Sequence, residues 1–189
     1  MKFGKAYLIV PVLMCVAVGA VAQEESPLPK PNVIQQDQFF IVGIEARTTT
    51  ANEMSGHGII PKQWQRFFAE GILQKVPNKA DQNIYAVYTD FADKRYGEYS
   101  IIIGARVTDK SALPPGMVLK TIPTGKYAVF HSDKGPVAKV VPTAWQRISE
   151  AEDRGKLGFT RTYRADYELY SAATMDPQNV QVDLYIGVK

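Results

Sequence analysis

The hydrophobic pattern of this chain changes period several times, and each change marks an element. Apolar or alternating runs rich in Val, Ile, Tyr and Phe read as strands at FFIVGIEA (39–46), NIYAVYTDF (83–91), EYSIIIGARV (98–107), KYAVFHSD (126–133), YRADYELYSA (163–172) and VQVDLYIGV (180–188). MVLKTIP (117–123) adds a short strand in the middle of the chain. Between the first and second runs, Pro61 is followed by Trp64, Phe67 and Phe68 at helical spacing, which predicts a helix over about 60–75 with Gly71 as its weak point. A second helix is expected over about 137–152, with Trp145 and Ile148 on one side.

These elements come in two matching sets. The form P-x-x-W-Q-R occurs at 61–66 and again at 142–147, a spacing of 81 residues. At nearly the same offset Ile84–Tyr88 meets Asp166–Tyr170 with both tyrosines matched, and SIIIGA (100–105) meets LYIGVK (184–189). Three blocks in one order imply duplication of a β-α-β-β unit, with halves at about 38–106 and 117–189. The fold class expected is α+β: one antiparallel sheet with pseudo-twofold symmetry, two helices on one side and a central groove between the halves.

The ends of the chain bear on location rather than fold. Lys2 and Lys5 precede the apolar run AYLIVPVLMCVAVGAVA, which closes on Ala20-Val21-Ala22. This is the pattern of a secretory signal peptide over 1–22, and it predicts an exported protein, periplasmic or secreted. An uncleaved N-terminal anchor is the alternative, although the run is near the lower limit for spanning a bilayer and contains Pro11. Residues 23–37, with three prolines and no hydrophobic period, read as an extended tether. Cys15 lies inside the signal, so the mature chain has no thiol for disulfides, nucleophilic catalysis or metal binding. Without Lys2 and Lys5 the balance is 20 basic against 19 acidic side chains, which leaves no electrostatic footprint for nucleic acid.

Little in the chain announces catalysis. His57 and His131 lack ligand-spaced partners, so neither a metal nor another cofactor is expected. PTGKY (123–127) lacks the first glycine and the Ser/Thr of a phosphate-binding loop and reads as a turn; no G-x-S-x-G occurs. The unusual residue is Glu168, set among Tyr167, Leu169 and Tyr170. On a strand, 164, 166, 168 and 170 share one face, so Glu168 lies either on a wet surface with Arg164 and Asp166 or in an aromatic pocket. The duplication is asymmetric here, because Ala86 occupies the matching position in the first half. A buried carboxylate needs a partner or takes up a proton. Among aromatic rings that partner is naturally an organic cation, with candidate walls Trp64, Tyr85, Tyr88, Tyr127, Trp145, Tyr167, Tyr170 and Tyr185.

Taken together, IPTGKYAVF (122–130), the helix around Trp145, the D-Y-E-L-Y strand and the final VDLYIGVK resemble the GyrI-like small-molecule-binding domains. These domains also serve as effector domains of AraC-type and MerR-type multidrug regulators. The resemblance covers roughly residues 38–189, with Gly187 where the family usually has proline. It implies the duplicated fold derived above, and it implies that Glu168 is a central acid for lipophilic, often aromatic, cations. No helix-turn-helix pattern accompanies it, so an ordinary transcription factor is not expected. Some relatives of the family look like hydrolases of cyclopropane-bearing electrophiles; that alternative implies Glu168 as general base, with Tyr127 or Tyr170 assisting. A third reading, a module for a protein partner, leaves Glu168 exposed.

Overall fold

The computed structural model describes residues 28–174 and 176–189. The expected signal peptide lies outside the described residues. Eight strands form one antiparallel sheet: β1 (Asn32–Gln36), β2 (Phe39–Thr49), β3 (Ile84–Thr89), β4 (Glu98–Val107), β5 (Val118–Ile122), β6 (Gly125–His131), β7 (Ala165–Tyr170) and β8 (Asp183–Val188). Their spatial order is β1-β6-β8-β7-β3-β4-β2-β5. The expected α+β duplication is what the sheet displays, with β3 and β7 paired at its centre.

The segment expected as a tether behaves differently in its second half. Residues 32–36 pair with β6 over five positions, from Asn32 opposite Val129 to Gln36 opposite Gly125. The prolines end at Pro31, and the residues after it are free to donate to a ladder. The repeating unit therefore gains a strand, β1-β2-helix-β3-β4 and then β5-β6-helix-β7-β8. The two extra strands are exchanged: β1 pairs β6 of the other unit, and β5 pairs β2.

This topology forces the sheet to curl. β1 and β2 stand six positions apart in the sheet order, as do β5 and β6. In a flat sheet six spacings of ~4.8 Å would separate them by ~29 Å. The links Gln36 to Phe39 and Ile122 to Gly125 are three Cα steps each, at most ~11 Å. The sheet must fold over so that its edges approach, and Thr124 Oγ1 donates to Gln36 O at 3.0 Å to tie the two links together. The inner face holds an aromatic core of Phe39, Tyr85, Tyr127 and Tyr167 with Ile41, Ile102 and Ile122. No helix is needed to keep that face dry.

The helices pack on the outer face. α1 (Thr50–Met54), unanticipated from the sequence, is capped by Thr49 Oγ1, which accepts from Asn52 N at 3.0 Å. The helix expected over 60–75 is two pieces, α2 (Ile60–Ala69) and α3 (Ile72–Lys75), because Gly71 takes a left-handed φ of 61° between them. α2 has no cap of its own. The Glu53 carboxylate serves instead, accepting from Ile59 N at 2.9 Å and Ile60 N at 3.2 Å beside Pro61 in the first turn. α4 (Val137–Asp153) matches its expected span. Phe67 and Ile148, one from each helix, are fully buried against the sheet.

Candidate functional site

The site grows out of the register between β3 and β7. Ala86 stands opposite Glu168, and these two residues also correspond in the duplication, so the pseudo-twofold axis passes through this pair. Tyr88 and Tyr170 correspond likewise and flank it on the helix-bearing face. Each is covered by a tryptophan from the other half: Trp64 of α2 lies edge-on to Tyr170 at 4.9 Å, and Trp145 of α4 edge-on to Tyr88 at 5.0 Å. Two tyrosines and two tryptophans at matching positions thus gather about one carboxylate, which has no counterpart in the first half.

Glu168 is 1% exposed, so the wet-face and exposed-surface alternatives do not hold. Its Oε1 accepts from Tyr88 Oη at 2.7 Å and Trp145 Nε1 at 2.5 Å, and its Oε2 accepts from Tyr170 Oη at 2.6 Å. Burial raises its pKa above the ordinary carboxylate value, while the three hydrogen bonds pull it back. Burial, reinforced by the glutamate, holds Tyr88 and Tyr170 well above the usual phenol range, so both remain donors.

Asp166 supplies the internal comparison. It sits two residues earlier on the same face and is 0% exposed, but it has a counter-ion: Arg161 Nη2 donates to Oδ2 at 2.6 Å, and Gly187 N to Oδ1 at 2.7 Å. Arg161 also reaches Glu152 Oε2 at 3.0 Å. Glu168 has only neutral donors among the described residues. One strand therefore carries two buried carboxylates, of which one is charge-paired and the other is not.

Of the sequence-predicted walls, Trp64, Tyr88, Trp145 and Tyr170 meet around Glu168. Tyr85, Tyr127, Tyr167 and Tyr185 do not, because side chains alternate across a strand and these lie on the inner face of the sheet. There Tyr167 stacks on Tyr185 at 4.4 Å, Tyr85 Oη donates to Asp81 Oδ2 at 2.9 Å, and Tyr127 Oη donates to Pro123 O at 3.3 Å. Burial pushes the Tyr127 phenol up to about 12. The set named for hydrolysis is split in the same way, with Tyr127 separated from Glu168 and Tyr170 by the sheet. His57 and His131 are both exposed, the latter beside Asp183 at 2.7 Å. Among the described residues there is no group of three His, Cys, Asp or Glu side chains placed to hold a metal.

Sequence reasoning missed three contributors. Tyr99 of β4 packs on Tyr88 at 5.9 Å and Phe91 on Tyr99 at 5.6 Å, which extends the aromatic wall beyond Tyr88. Phe68, 59% exposed, stacks at 22° on Trp64. The alternation of EYSIIIGARV could have placed Tyr99 on the helix side with Ile101 and Ile103, but not beside Tyr88.

A duplicated, helix-backed antiparallel sheet with an acid on its twofold axis defines a GyrI-like effector-binding domain. The chain belongs to the integron-associated effector-binding protein family, Cass2, whose model matches residues 32–188. It is similar to the integron cassette protein VCH_CASS2 from the mobile metagenome of Vibrio cholerae, with 25% identity and a TM-score of 0.66 over 86% of this chain and 98% of that one. It shares the fold of SAV2435, a structure bound to tetraphenylphosphonium, with 23% identity and a TM-score of 0.64 over 85% and 94% of the two chains. In sequence it is 28% identical to the candidate transcriptional regulator YobU of Bacillus subtilis over 84% of this chain and 97% of that protein. It is 26% identical to the transcriptional regulator BrlR of Pseudomonas aeruginosa, covering 82% of this chain and 54% of the regulator.

Proposed function

We propose that this chain is an exported small-molecule-binding protein that captures lipophilic, cationic aromatic compounds between α2 and α4, against Glu168. The observation that carries this reading is the contrast on β7: Asp166 has Arg161, while Glu168 is equally buried, lacks a cation among the described residues, and is ringed by aromatic faces. An organic cation would supply the missing charge, and each ring would add roughly 0.5–2 kcal/mol of cation–π attraction. Three neutral donors already occupy the carboxylate, so a cation without N–H groups loses nothing by its inability to donate. The tetraphenylphosphonium held by SAV2435 is of that kind and supports the class of ligand. Export rests on the N-terminal Lys2/Lys5, apolar and Ala20-Val21-Ala22 pattern.

The test is a titration with rhodamine 6G and with tetraphenylphosphonium on the wild type and on Glu168→Gln. Saturable binding that weakens at least about tenfold in the variant, ~1.4 kcal/mol, is expected. Equal binding by the two proteins would remove the glutamate from the account. N-terminal sequencing of protein recovered from the cell exterior or periplasm should begin at Gln23; recovery of intact Met1 from the cytoplasm would remove export.

A further inference from the structure

A polar depression of about 470 Å³ lies at the rim of the sheet, where β3 ends and β7 begins. Thr89, Asp90, Phe91, Lys120, Tyr163 and Arg164 form the walls that matter to its chemistry. None of them donates to Glu168, and the depression borders the four-ring site through Phe91, which packs on Tyr99 and through it on Tyr88.

Two of these walls have left-handed backbone, Asp90 with φ of 52° and Tyr163 with φ of 53°. Asp tolerates that conformation through its short polar side chain, whereas for a bulky residue such as Tyr it is a true outlier. Tyr163 is held there from three directions. Its Oη donates to Glu152 Oε2 at 2.7 Å, the Arg161 guanidinium lies 4.3 Å from its ring centroid, and Phe91 meets the ring edge-on at 5.4 Å. Strained backbone of this kind gathers at binding sites, where the surrounding structure over-determines it.

The charges point to the ligand. Lys120 Nζ is committed to Asp90, at 2.6 and 2.5 Å from its two carboxylate oxygens. Arg164 is exposed, and no hydrogen bond or ion pair engages its guanidinium among the described residues, although its charge is felt by the Tyr127 phenol; its backbone is anchored by Thr89 Oγ1, which donates to Arg164 O at 3.1 Å. The lining therefore carries one uncompensated positive charge together with two aromatic side chains, Phe91 and Tyr163, that pack edge-on against each other. A guanidinium fork matches a carboxylate in shape and charge, and Phe91 and Tyr163 offer surface to a flat ring. We infer that this depression is a second binding site, independent of Glu168 and opposite to it in charge preference, for a small aromatic carboxylate.

The test is a titration of the full chain with sodium benzoate followed by amide chemical shifts, with benzylamine as the control of opposite charge. Saturable shifts at Thr89, Asp90, Phe91 and Arg164 are expected, about tenfold weaker in Arg164→Gln and unchanged in Glu168→Gln. Arg164 is exposed, so the variant should fold as the wild type does, which its amide spectrum checks. Absence of saturation by ~20 mM benzoate, a range that includes even millimolar affinity, would overturn the inference. So would equal affinity in Arg164→Gln, equal binding of benzylamine, or loss of benzoate binding in Glu168→Gln.

Discussion

At the scale of single residues, the informative comparison is between two acids that share a strand and a face. Asp166 is neutralised within the protein, whereas Glu168 is held by Tyr88, Tyr170 and Trp145. Its raised pKa gives stability and binding opposite pH dependence. Between the ordinary value of 4.5 and the raised folded value, the native state binds the proton that the unfolded chain has released. Stability therefore falls as pH rises through that window. Cation binding needs the ionised carboxylate, so affinity rises over the same window. Thermal unfolding of the wild type and of Glu168→Gln from pH 5 to pH 9 should show the wild type losing stability relative to the variant as pH increases. Dye affinity of the wild type should increase in step. Parallel unfolding profiles for the two proteins would mean that Glu168 does not titrate in this way.

At the scale of elements, β7 and β8 are locked together by Gly187. The Gly187 N–H donates to Asp166 Oδ1 at 2.7 Å, a bond that proline cannot make. A Cβ at this position would also stand 2.6 Å from Thr162 Oγ1 and 2.9 Å from Ala165 O. Gly187 is therefore coupled to Asp166. Gly187→Pro should cost roughly 2–4 kcal/mol, because it removes a hydrogen bond from a buried charge and adds a clash. The corresponding fall in Tm is about 2–4 °C per kcal/mol for a chain of this size. In an Asp166→Ala background the additional loss should be smaller, since no buried acceptor is left unsatisfied. The same element logic explains α2, which starts on the Glu53 carboxylate and stops where Gly71 turns left-handed.

At the scale of the molecule, the exchanged edge strands join the two halves. β1 completes the sheet beside β6, as β5 does beside β2, and the short links between them hold the curl that buries Tyr85, Tyr127 and Tyr167. Deleting residues 28–36 removes five paired positions and leaves the outer edge of β6 open. A loss of roughly 2 kcal/mol, or ~4–8 °C in Tm, is expected from calorimetry of the shortened chain. An unchanged Tm would mean that β1 is part of the loose tether that the prolines before it suggested.

Much of this was legible in the residues, for physical reasons that can be named. The apolar periods located β2 to β8 and both major helices, because burial on one face dictates period 2 in a strand and period 3.6 in a helix. The paired P-x-x-W-Q-R motifs revealed the duplication, and the strand alternation placed Asp166, Glu168 and Tyr170 on one face. Composition alone left β1 hidden, since NVIQQ has neither strong alternation nor burial and becomes a strand only because β6 offers it an edge. Which tyrosines surround Glu168 was likewise undecided. Eight aromatic residues were candidates until the β3–β7 register and the helix packing divided them between two faces of the sheet. Local pattern determined which residues share a face, because that depends on the period of one segment, but left open whether the face of Glu168 is buried. Tertiary structure alone decided which buried residues touch, because contact depends on the register between segments far apart in the chain.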